Sequence, residues 1–133
     1  MLICAALATL ATVSLAEIPT LATEVESEAR ALTAQTTITP AFLAGLEDFS
    51  GDAMRLSEAL REAGVEQDLP CIFRGIAEDA AERVTEFQAA DTEAERRMAF
   101  DGLRALLNDA ILIAPMAAGA ATDAAEARAI AAR

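Results

Sequence analysis

The chain contains no histidine, lysine, tryptophan or tyrosine. Without histidine it has no imidazole general base, no histidine-ligated zinc, di-iron or haem site and no histidine-based triad. Without lysine, its ten basic residues are all arginine, set against 22 Asp and Glu for a net charge of −12. A nucleic-acid partner is therefore not expected, because phosphate binding needs a basic face and one would have to form against the net field. Aromatic residues make up only 4% of the chain, although 54% of it is hydrophobic and alanine alone fills 34 of the 133 positions. Many small apolar side chains suit closely packed helices better than a sheet sandwich, which draws on β-branched and aromatic residues. The bias towards alanine and arginine without lysine is that of a GC-rich bacterial genome.

At 133 residues one domain is expected. Residues 2–15, LICAALATLATVSL, form an uncharged and almost wholly apolar run, and acidic sequence follows from Glu17. Ser14-Leu15-Ala16 fits a small-residue cleavage site, so residues 1–16 read as a signal peptide and the protein as exported to the periplasm or the medium. The run opens Met1-Leu2, without the Lys or Arg that starts such a signal. A buried N-terminal helix and an uncleaved anchor are the competing readings. The run is short of the roughly 20 residues that span a bilayer, which favours the cleaved signal and no stable membrane insertion after processing. Cleavage would remove Cys4 and leave Cys71 as the only thiol, with no internal disulfide to form.

Beyond residue 16, hydrophobic periodicity predicts an all-α fold: a small up-down bundle of three to four helices over 17–116, with a loosely attached Ala-rich C-terminal helix or tail over 117–133. Residues 20–35 place Leu21, Val25, Ala29 and Leu32 on one face, with Glu24, Glu26 and Glu28 turned away. Thr39 as cap and Pro40 at the first helical position open the second helix. Its seam of Phe42, Leu46, Phe49, Ala53, Leu56, Leu60 and Ala63 keeps a 4-3 spacing up to Gly64, a C-terminal glycine signal. Ser50-Gly51 falls within it, where a bend or division is expected.

After a loop at 65–68, Asp68 and Pro70 begin the third helix, with Ile72, Ile76, Ala80, Val84 and Phe87 as its stripe and an Asp79–Arg83 pair outside. Asp91 is the expected cap of the fourth helix, with Phe100, Leu103, Leu107, Ala110 and Ala114 inward. Its second half, 103–116, is apolar nearly all round and reads as the most buried part of the bundle, ended or kinked by Pro115.

Few groups carry chemistry. Cys71 follows Pro70 in a helix first turn, where the dipole favours thiolate; it is the candidate reactive thiol, against the plainer reading of a small buried hydrophobe. Gly45 and Gly75 occupy matching places in two similar segments, PAFLAGL and PCIFRGI, and are the candidate close helix contacts. Glu78, Glu82 and Glu86, four apart, read as a solvated face rather than a cation site. Arg96-Arg97 reads as local ion pairing with Glu93 and Glu95. Met54, Met98 and Met116 read as gap fillers in the core rather than a copper site. No metal or cofactor is expected, and no phosphate loop, nucleotide fingerprint, C-x-x-C or G-x-S-x-G motif occurs. The expected function is a non-enzymatic exported module that binds a protein partner or a small apolar ligand between its helices. The alternative is a redox or mixed-disulfide protein acting through Cys71. Oligomeric state is not specified by these patterns, and carboxylate-only chemistry stays open.

Overall fold

The structure, a computed structural model, describes residues 13–65 and 68–133. The apolar run up to residue 12, with Cys4, lies outside the described residues. Four helices carry the fold: α1 (Ile18–Thr33), α2 (Pro40–Glu62), α3 (Asp68–Ala89) and α4 (Glu93–Ala131), with no strand among the described residues. Each helix packs on its neighbours in sequence, and α4 returns to pack on α1. With short connections, this closed ring is an up-down-up-down four-helix bundle in which α1 lies diagonal to α3 and α2 to α4.

The entry to α1 is a short 3-10 turn, Leu15–Glu17. The Ser14 backbone N–H and hydroxyl both donate to the Glu17 carboxylate, at 2.8 and 2.7 Å. The Ser14 hydroxyl, then its backbone, hold the Glu17 carboxyl below its ordinary pKa. Val13 and Leu15 pack against the core and Ile18 is fully buried. The helix thus starts two residues before the position that periodicity indicates, because Ile18 continues the Leu21, Val25, Leu32 stripe by one more turn.

Helix α2 follows its sequence pattern most closely. The Thr39 side chain accepts from Phe42 N at 3.1 Å, Pro40 stands in the first turn, and the 4-3 seam from Phe42 to Leu60 is buried. Gly64, at φ +71°, closes the helix: its N–H donates to Arg61 O and the Val65 N–H donates to Leu60 O, the paired bonds of a Schellman ending. Ser50-Gly51 does not divide the helix, which runs unbroken from Pro40 to Glu62. Ser50 Oγ donates to Ala77 O at 2.8 Å and the buried Ser57 Oγ to Pro70 O at 2.5 Å, so hydroxyls that would compete with α2's own backbone clamp it to α3 instead.

Two stripes differ from expectation. In α3 the buried face is Leu69, Pro70, Phe73, Ile76, Ala77 and Ala80, whereas Ile72 is exposed and Val84 and Phe87 are half-buried. Steps of four alone drift around a 3.6-residue helix, and the 4-3 alternation through Leu69, Phe73, Ile76 and Ala80 holds the core side. In α4 the cap is Thr92 rather than Asp91: its side chain accepts from Glu95 N, while the Glu95 carboxylate accepts from the Asp91 and Thr92 N–H groups, which lower its pKa.

α4 then runs unbroken through Pro115 for 39 residues, roughly 58 Å. The tail over 117–133 is therefore the continuation of α4, with Ala117 and Ala121 fully buried. Arg128 Nη2 donates to Ala63 O at 2.8 Å, placing a cation at the C-terminal end of α2. Nor is the 103–116 half the most buried stretch. It buries Leu103, Leu107, Ala110 and Ala114, but leaves Leu112 and Met116 largely in solvent.

Candidate functional site

An open, mostly apolar concave surface lies between α2 and α3. Leu43, Ala44 and Leu46 on one side and Ala80, Ala81 and Val84 on the other line an open groove of about 530 Å³. Glu47, Ser50 and Gln88 are its polar edge. Ser50, at the groove's edge, and Ser57, two turns further along α2, join α2 to α3 through Ala77 O and Pro70 O. Its size falls in the range of small-molecule sites. The arrangement can seat an apolar body and offer a carboxylate and an amide to a polar head. It offers no nucleophile with an adjacent base, since the Ser50 hydroxyl proton is committed to Ala77 O.

The residues singled out by sequence are not gathered there. Cys71 sits in the first turns of α3, half-buried and outside any disulfide among the described residues. A Cβ at Gly45 would stand 3.2 Å from Leu32 Cδ2, a close α1–α2 approach. A Cβ at Gly75 would meet open space, so the close-contact expectation fails at that position; the second tight glycine is Gly102 of α4, whose added Cβ would lie 3.1 Å from Arg83 Cδ. Arg83 pairs with Glu86 instead of Asp79, and Arg74 with Glu78 at 2.8 Å, so the carboxylate row of α3 is partly neutralised. Arg96 contacts Glu93 at 3.5 Å and donates to Ala90 O. With Arg97, Thr36 and Thr37 it edges a hollow of about 280 Å³ at the end of the bundle where α1 and α3 finish and α2 and α4 begin. Met98 and Met116 are exposed rather than filling the core.

One titrating site was hidden from sequence reasoning. Glu28, assigned to the solvated face of α1, turns towards α2 and is half-buried, with Oε2 shut off from solvent and without a hydrogen-bond partner. Burial first, then the hydrogen bond that the protonated carboxyl can donate to Asp52 and the charges of Asp52, Asp48 and Glu24, push it up to about 7. Asp52 also accepts from Arg55 Nη1 at 2.9 Å. The spacing signal was present, because Glu28 adjoins Ala29 on the edge of the buried stripe. The α2 carboxylates that face it are twenty and more residues away. Among the described residues no group of three or more Asp, Glu or Cys is arranged to hold a metal ion.

Fold and groove together define a small acidic four-helix bundle with a lateral apolar cleft. No protein family, curated protein or solved structure matches the chain.

Proposed function

We propose that the protein is an exported, non-enzymatic binding module that seats an apolar or amphipathic ligand in the α2–α3 groove. The observation that carries this reading is the groove itself, an apolar cleft of about 530 Å³ between two helices locked at fixed separation by hydroxyl clamps. Glu47 at its edge and the net charge of −12 favour ligands with a neutral or cationic head. The test is titration with the neutral fluorophore N-phenyl-1-naphthylamine. Saturable binding by the unmodified chain and its loss in Ala44→Trp, which plugs the cleft from an exposed position, are expected. Equal binding by both proteins would reject the groove as the site.

The thiol reading keeps one favourable observation, the partial exposure of Cys71 in the first turns of α3. It predicts rapid maleimide labelling of the folded protein, and labelling only after denaturation would dismiss it. Export rests on the apolar run and the Ser14-Leu15-Ala16 pattern. Removal of residues 1–16 would take with it Ser14 and its two hydrogen bonds to the Glu17 carboxylate, so α1 of the processed chain would open at Glu17 without that cap. Intact mass of the protein from its host's soluble exported fraction checks this: residues 17–133 are expected, and an intact cytoplasmic chain would refute it.

A further inference from the structure

The outer face of α4 carries an apolar pattern that the monomer does not use. Among the described residues, the large hydrophobic side chains most exposed to solvent are Met98 (75%), Leu112 (72%), Ile130 (67%) and Met116 (61%), and all four belong to α4. Their positions are symmetric: Leu112 and Met116 lie two residues either side of Ala114, and Met98 and Ile130 lie sixteen residues either side of it. At 3.6 residues per turn, steps of two and of sixteen both bring a side chain to within about 20° of the direction opposite the starting residue. Ala114 is fully buried, so the four form one narrow stripe pointing directly away from the core. Along that stripe Met98, Ala105 and Leu112 are seven apart, as are Met116, Asp123 and Ile130, which is the repeat of a coiled-coil seam.

We propose that this stripe is the interface for a second copy of this chain, paired antiparallel along α4 about a two-fold axis at Ala114. An isologous contact requires a patch that is its own complement. Reversal about Ala114 sets Leu112 against Met116 of the second copy and Met98 against its Ile130, so all four exposed apolar residues find apolar partners. The acidic residues of the stripe fit the same register. Asp101, Asp109 and Asp123 face Ala127, Gly119 and Ala105 of the second copy, so each carboxylate lies over a small residue and none lies directly opposite another. A lipid surface suits the stripe less well, because these three aspartates interrupt it along its length. The α2–α3 groove stays open in such a dimer, since α2 lies diagonal to α4.

Cysteine cross-linking reads the register directly. In a Cys4→Ser, Cys71→Ser background, chains carrying Met98→Cys or Ile130→Cys are oxidised separately and as a mixture. The expected result is a disulfide-linked dimer in the mixture only, because antiparallel pairing sets like positions of the two copies roughly 48 Å apart, so neither variant can link to itself within the dimer. Efficient linking of Met98→Cys to itself would mean a parallel or random encounter and would overturn the proposal. Sedimentation equilibrium of the full chain should show a concentration-dependent dimer, weakened at least about tenfold by Leu112→Asp and tightened by Ala105→Arg, which sets a guanidinium opposite Asp123. A chain that stays monomeric into the millimolar range, or associates equally well with Leu112→Asp, would also overturn it. Leu112 is exposed, so an unchanged far-ultraviolet spectrum and melting temperature of the variant separate a lost interface from a lost fold.

Discussion

Helices α2 and α4 are both long, and they use their large side chains in opposite ways. α2 turns Phe42, Leu46, Phe49, Leu56 and Leu60 inward, and every one is essentially inaccessible to solvent. Beyond Leu107, α4 buries only alanines, at Ala110, Ala114, Ala117 and Ala121, and holds Leu112, Met116 and Ile130 outside. Helix α2 therefore supplies volume, whereas the second half of α4 supplies closeness: alanines let it lie tightly against its neighbours with little side chain between. Hydrophobicity alone does not separate these roles. Two apolar helix segments of similar length differ in whether their bulk or their smallness meets the core.

The largest test of this contrast is Phe49→Ala, which should destabilise the protein by about 3–5 kcal/mol in chemical denaturation, while Leu112→Ala should change stability by less than about 0.5 kcal/mol. Comparable losses in both would erase the distinction. Next comes Ala114→Leu, which inserts bulk where α4 approaches the core and should cost about 1–3 kcal/mol by overpacking. A neutral or stabilising outcome would show slack in that seam. Ser57→Ala removes the hydroxyl that joins α2 to Pro70 O and should cost about 1 kcal/mol by melting temperature.

The smallest effect concerns Glu28, and it depends on pH. Its carboxyl titrates near 7 in the fold against an ordinary value of 4.5, so between these values the folded protein binds more protons than the unfolded one. Its favourable contribution is complete below about pH 4.5 and is lost as pH rises through about 7. Discounted for the partial exposure of the group, the change amounts to about 1 kcal/mol. Glu28→Gln, which can still donate to Asp52, should be the more stable protein at pH 8 by about that amount. It should also flatten the stability profile between pH 5 and 7; a parallel profile would remove Glu28 as the titrating group.

Legibility from sequence followed the same division as the two helices. The α2 signals were local and agreed with one another: a Thr-Pro start, a 4-3 run of large apolar residues and a glycine at the end. Where local signals competed, reading was less secure. Asp91 and Thr92 are adjacent cap candidates, and the Glu95 carboxylate, three residues beyond Thr92, decides for Thr92. In α3, Ile72 and Phe73 are adjacent apolar residues, and only packing against α2 and α4 selects Phe73. The groove was not legible at all, because Leu43 and Val84 are ordinary stripe-edge residues until α2 and α3 are placed side by side.

What the amino-acid order determined by itself was the all-α class, a bundle of three to four helices, their approximate starts and the inward seam of α2, since each depends on interactions within a few residues along the chain. Tertiary structure decided which side of α4 is inside, that Pro115 does not interrupt it, and that Glu28 meets Asp52. A helix that is apolar nearly all round has no preferred inward face of its own. Its orientation is set by which side chains its neighbours can approach most closely, and in this protein they close on the alanines and leave the leucine and methionines outside.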